Sequence, residues 1–335
     1  MRVRLALIAA AALASAGCAH APEPAYVAGA ADVARTNRAF PGDDDFAFVV
    51  LGDRTGRHRP GVFEAAIDRV EALHPDFVIN IGDLIEGNTE DRALLSREWD
   101  EIEAFIGRLG IPFFHVPGNH DLTNPVQLTE WRERFGAPYY SFTYKDVLFL
   151  VLDTEDPPQA KIARTPLVRE YGAEAMGKVM AALQDPDRLA ALVAAEPRLA
   201  ELARKIVASE NVAFSAEQLA MVHRALADNP SPRWTFVLFH RPAWKVDSPA
   251  FREIEAMLAG RPYTVFAGHY HKYAYEGRAG RDYIQLGTTG GMPGGAVDDP
   301  NVVDHVMWVA MTGDAPRISN IRLDGLFGRR GPGKD

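Results

Sequence analysis

Five short clusters in this chain carry residue types that hold metal ions and move protons. They are Gly52-Asp53-Arg54-Thr55-Gly56, Gly82-Asp83, Gly118-Asn119-His120-Asp121, His240-Arg241-Pro242 and Gly268-His269-Tyr270-His271. Carboxylate, amide and imidazole together make a donor set for a pair of divalent ions, and such a pair suits phosphoester hydrolysis. One isolated histidine would read as a packed or hydrogen-bonded core residue. Five clusters in one chain read instead as a site. His269 and His271 are two apart, so a strict strand would aim both along one face, whereas a turn would let them reach two neighbouring ions.

The elements that must position these residues are legible as apolar runs: 46–53, 76–83, 112–121, 234–242 and 263–271, each rich in Val, Ile or Phe. Such runs predict buried strands, with the chemistry placed where the strands stop, the usual place for sites on an α/β sheet.

With these motifs in this order, the chain resembles the calcineurin-like metallophosphoesterase superfamily over Phe46 to His271, and the strand-rich stretch to about Leu323 fits the second half of that family's sheet sandwich. The resemblance implies an α/β fold, a four-layer sandwich of two mixed β-sheets flanked by helices. It implies two divalent metal ions, of Mn, Fe, Zn or Ni rather than Mg alone. Asp53, Asp83 and His271 would hold the first; Asp83 would bridge to the second, completed by Asn119, His240 and His269. His120 would be the general acid that protonates the leaving oxygen, and Glu86 would be a carboxylate orienting that histidine, with a solvated loop acid as the other reading. The chain departs from the family where Asp-x-His is usual, because Thr55 stands in the histidine's place. A neutral hydroxyl is the weaker ligand, so the first site is expected to bind less tightly or to use waters. His58, three residues on, is a candidate replacement and otherwise a surface residue.

Arg54 and Arg241, beside two of the clusters, are candidate phosphate-binding residues through bidentate guanidinium geometry. Arg57 is read as a solvated or ion-paired side chain. Gly287-Thr288-Thr289-Gly290-Gly291 could approach a substrate with bare backbone, but lacks the lysine and spacing of a nucleotide P-loop. A Ser/His/Asp esterase has no Gly-x-Ser-x-Gly elbow to support it.

Arg2 and Arg4 followed by an apolar, alanine-rich run predict a secretory signal over 1–17, too short to span a membrane as a helix. Cys18, the only cysteine, stands where a lipoprotein signal would place it, so an exported, periplasmic protein is expected, with a lipid anchor to the envelope through Cys18 as one reading and ordinary cleavage that discards Cys18 with the signal as the other. One cysteine allows no internal disulfide. Residues 18–44 read as a tether, 45–325 as the catalytic domain and 326–335 as a tail. Removing Arg2 and Arg4 with the signal takes the net charge from −9 to −11, which disfavours a nucleic-acid polymer as substrate and leaves small phosphoesters open. Between about 155 and 214, Glu155-Asp156-Pro157-Pro158 breaks a strand, and Leu199, Leu202, Ala203 and Ile206 follow at helical spacing. This predicts a helical insertion, read first as packed surface structure, with a lid or specificity cap over the metals as its alternative. Ser215 with Gln218 has capping-box spacing for a further helix to about Ala227. The sequence therefore points to a metal-dependent hydrolase of phosphomonoesters or phosphodiesters. A catalytically degenerate relative that binds an envelope ligand is the competing reading, and Thr55 is its support.

Overall fold

The computed structural model describes residues 44–332, apart from 157–166, 168–169, 183–184, 210–211 and 297. The expected signal, Cys18 and the tether as far as residue 43 lie outside the described residues. Twelve strands form two six-stranded sheets. The first runs in the order β12 (Gly325–Gly328), β11 (Pro316–Arg322), β10 (His305–Met311), β1 (Phe46–Leu51), β2 (Phe77–Asn80) and β3 (Phe113–Phe114). The second is β4 (Tyr140–Tyr144), β5 (Val147–Val151), β6 (Trp234–Leu238), β7 (Tyr263–Ala267), β9 (Arg281–Gln285) and β8 (Ala274–Arg278). Both are mixed: β1, β2 and β3 are parallel while β10 joins antiparallel, and β5, β6, β7 and β9 are parallel between antiparallel edges.

The alternation of side chains along each strand builds the layers. On β1, Phe46, Phe48 and Val50 enter the core between the sheets, while Val49 and Leu51 face α1 (Val62–Leu73), α2 (Arg92–Gly107) and α3 (Pro125–Phe135). On β6, Phe236 and Leu238 face the same central core, opposite Val237 on the helix side. Phe48, Phe77, Phe149 and Phe236 meet there, and each fully buried ring stabilises the fold by roughly 1.5–3 kcal/mol. Helices on both outer faces complete the expected four layers.

The helical insertion is present as α4 (Ala173–Ala182), α5 (Pro186–Ala195) and α6 (Leu199–Ser209), which pack on their own small core of Met176, Val179, Leu199, Leu202 and Ile206. It is followed by α7 (Ala216–Asp228), whose N-cap Ser215 accepts the Gln218 N–H, and by α8 (Pro249–Met257). The Gln218 side chain does not return to the cap as a capping box would. It binds both main-chain groups of Asp153 instead. The first sheet also extends past residue 325: Gly325–Gly328 pairs with β11 and Phe327 reaches the central core, so the C-terminal tail begins later than expected.

Candidate metal centre

The carboxyl ends of β1, β2, β3, β6 and β7 converge at one rim, and each hands its ligand residue to a turn immediately beyond it. Asp53, Asp83, His269 and His271 all have positive φ, of 52°, 57°, 77° and 55°. That left-handed conformation is costly for a residue with a Cβ, and it persists where surrounding structure enforces it. Here it turns the side chains into a shared space. Asp83, His240 and His269 form one group whose ligand atoms lie within 4.8 Å of one another, and Asp53, Asp83 and His271 form a second. Asp83 belongs to both. Asn119 joins the first group, its Oδ1 at 3.2 Å from His240 Nε2. His269 and His271 therefore serve different groups, as a turn permits and a strand would not.

The imidazoles are set for ligation by main-chain carbonyls. His240 Nδ1–H donates to Ile81 O at 2.8 Å, and its Nε2 lies 3.2 Å from Asp83 Oδ2. His271 Nδ1–H donates to Met292 O at 2.6 Å, and its Nε2 lies 3.4 Å from Asp53 Oδ1. Fixing the proton on Nδ1 aims the Nε2 lone pair inward. Burial opposes charge on Asp83, but His240 and His120 overcome it and hold that carboxyl well below its usual range. Burial opposes protonation of His240, yet Asp83 pushes it up to about 9. Carboxylates this buried want cations, and two divalent ions answer that demand better than protonated rings. Close backbone approach keeps the space clear. A Cβ on Gly118 would run into Asp83 Oδ1, and one on Gly268 into Asp53 Oδ2. The residues present fit a metal pair.

His120 is brought to the rim of this centre. Its N–H donates to Asp83 Oδ1 at 2.8 Å, and its Nδ1 lies 2.8 Å from the main-chain oxygen of Glu86 and 3.3 Å from Thr55 Oγ1. Glu86 thus meets His120 through its backbone. Its carboxylate faces the other way, accepting from the N–H groups of Arg57 and His58 and approaching His58 Nδ1 at 3.2 Å. This corrects the expected orienting carboxylate: residues 57–58 present open N–H groups that claim it. His58 pairs with Glu86 at the surface and belongs to neither ligand group, so it does not replace the missing histidine.

Arg54 is corrected as well. It is buried, donating to Leu84 O and Glu101 and lying over Phe63, so it braces the helix side of the first sheet rather than reaching a phosphate. Arg241 does reach the centre, with Nη1 3.4 Å from His269 Nε2, but Nε is committed to the buried carboxylate of Glu155. The glycine-rich segment braces rather than binds: Gly291 N–H donates to Asp53 O at 2.8 Å and Thr289 Oγ1 accepts the Gly52 N–H at 3.1 Å. Asp121 was given no role by sequence reasoning. Buried beneath the centre, it accepts N–H bonds from Asp83, Leu84, Ile85 and Gly118 at 2.8–3.3 Å and so fixes the turn that aims Asp83. Its place directly after Asn119-His120 was the available signal.

A cavity of about 1140 Å³ opens onto Asp83, Asn119, His120, His269 and His271. Neither Arg54 nor Arg241 lines it, whereas Arg57 does. The insertion contributes to its lining, through Gly177, Met180 and Ala181 of α4 and Arg188 of α5. The insertion is therefore more than packed surface structure.

The solved structures most like this fold include a dimetal phosphatase from Danio rerio, 13% identical, with a TM-score of 0.57, covering 85% of this chain and 99% of that one. A purple acid phosphatase, PPD1, from yellow lupin (Lupinus luteus) seeds is 14% identical with a TM-score of 0.54, and the match covers 87% of this chain but 54% of that one. Identities this low show the shared fold alone. Among curated proteins, none matches the chain by sequence. The family profile described as calcineurin-like phosphoesterase matches residues 46–273, a span that holds every residue of both ligand groups. On that match, made independently of the geometry at the strand ends, the chain belongs to the calcineurin-like phosphoesterases.

Proposed function

We propose that the protein hydrolyses small phosphoesters, monoesters or diesters, at the centre built on Asp83. The observation that carries this reading is the joint placement of two ligand groups sharing Asp83 with His120 on the rim of the same cavity. Asp53 and His271 would hold one divalent ion, Asn119, His240 and His269 the other, with Asp83 between them. Bound there, such ions supply Lewis-acid polarisation of the phosphoryl group and lower the pKa of a water. The chain's own residues do the rest. His120 Nδ1 is engaged by Glu86 O at 2.8 Å and Asn88 Nδ2 at 2.9 Å, so Nε2 is the atom left to give a proton to the departing oxygen. Arg241, paired with Glu155, places positive charge beside His269. The signal-like residues 1–17 and Cys18 support export and lipid anchoring at the envelope, which Cys18→Ser would abolish as lipid labelling.

The test is metal content together with turnover of mono- and bis-nitrophenyl phosphate after Mn, Fe, Zn or Mg is supplied. Two equivalents and metal-dependent turnover are expected, and Asp83→Asn should lose both. His120→Ala should slow alkyl esters more than nitrophenyl esters, because only the former need a proton donor. Metal-free, inactive protein under all these conditions would favour the binding-protein reading instead.

A further inference from the structure

Among the described residues, the two ends of the insertion meet beside the second sheet. Ala213 N–H donates to Thr154 O at 3.1 Å, and Glu155 bridges to Ala213, so the excursion leaves and returns beside the Arg241–Glu155 pair. Along α4 the buried positions Ala175, Met176, Val179 and Ala182 share one face and enter the insertion's own core. Gly177 and Ala181 lie on the opposite side of the helix and Met180 at the border between the two sides, packed partly on that core, and these three line the metal cavity. Met292 and Pro293 line the same cavity. Met292 is 44% exposed, one of two large hydrophobic side chains left so open among the described residues. The volume of about 1140 Å³ is far more than a phosphoryl group needs and matches pockets that hold a sizeable organic ligand.

We propose that α4 and the Met292 segment form an apolar pocket for the organic part of the ester, so that the protein selects phosphoesters carrying an extended hydrocarbon group. This rests on the hydrolase reading above. Methionine, alanine and proline side chains offer no strong hydrogen-bond partners, so hydrocarbon gains by burial against them, while Asp185, Tyr270, Lys272 and Asp299 add polar groups to the same lining. Two methionines in one lining adapt to chains of different shape. Arg57 and Arg188 flank this wall.

The experiment uses alkylphosphonates from methyl to octyl, whose carbon–phosphorus bond is not an ester, titrated calorimetrically into the full chain supplied with Mn. Affinity should tighten roughly fourfold for each methylene that the pocket buries, then level off. Met180→Gln and Ala181→Gln, both neutral changes on the cavity wall and outside the ligand groups, should flatten that dependence while leaving inorganic phosphate binding and metal content as in the wild type. Affinity independent of chain length, or a length dependence untouched by both variants, would overturn the pocket. Nitrophenyl phosphate turnover is measured in parallel. A flat length dependence with turnover intact rejects the pocket alone, and a steep one without turnover rejects hydrolysis alone.

Discussion

Thr55 is buried against the centre with its hydroxyl 3.3 Å from His120 Nδ1, and its N–H donates to Asp83 O at 3.1 Å. Its side chain thus serves the rim histidine. Thr55→Ala should leave metal stoichiometry unchanged and reduce kcat severalfold on alkyl esters, where proton donation matters. Loss of one metal equivalent in that variant would make the hydroxyl a ligand after all. Arg54 makes a contrasting case one residue earlier. Its guanidinium is buried, but its partner Glu101 is half exposed, which discounts the ion pair. Arg54→Met should lower stability by about 1–3 kcal/mol, chiefly by stranding Leu84 O, and leave KM within about twofold. A large rise in KM at unchanged stability would restore Arg54 as a phosphate ligand.

At the scale of elements, the ligands depend on where each strand stops and how tightly the next turn approaches its neighbour. Gly118 and Gly268 let two turns close onto Asp83 and Asp53. Gly118→Ala and Gly268→Ala should each weaken metal binding, by about 10–100-fold, with the far-ultraviolet circular dichroism retained. Full metal affinity in both would show that the carboxylates can shift aside without cost. The strands that deliver these turns were legible because Phe46–Leu51 or Tyr263–Ala267 buries every residue, and such strands read as continuous apolar runs. The six candidate ligand positions were read from the family order of motifs, and the structure gathers them at those ends. Direction was not legible. Arg54 follows Asp53 yet turns to the helix side, and Glu86 presents its carbonyl where a carboxylate was expected, because positive φ at Asp53 and Asp83 redirects the chain at single residues. The α4 surface was hidden for a related reason. Helical spacing shows that a helix has two faces, but which element each face meets is a tertiary fact.

Across the whole molecule, two buried imidazoles lie outside the metal centre, one just past β3 and one on β10, and both enter the response to acid. His115 packs among Trp99, Phe113, Trp131 and Phe135, and burial pushes it down to about 3. His305 accepts the Gly287 N–H at 2.9 Å, and burial pushes it down to about 4. Both are held neutral by folding. Their contribution is complete above the unfolded value of about 6.5 and is lost as pH falls from there towards the folded values, because the unfolded chain takes up protons that the folded one refuses. In metal-free protein His240, raised to about 9, changes stability only above about 6.5, where its contribution is lost as pH rises. Asp121 acts in the acid window with the opposite sign. Burial and the Asp83 charge raise it to about 7, so the folded state binds its proton first and gains stability as pH falls. A bare pH profile would mix these effects, and the informative quantity is the difference from His115→Leu. Between pH 6.5 and 5, urea melts of the metal-free variant should lose about 2 kcal/mol less stability than the wild type, at about 1.4 kcal/mol per pH unit for one refused proton. Equal losses in the two proteins would mean that His115 is protonated within the fold, and that the aromatic cage around it opens to water before the sandwich does.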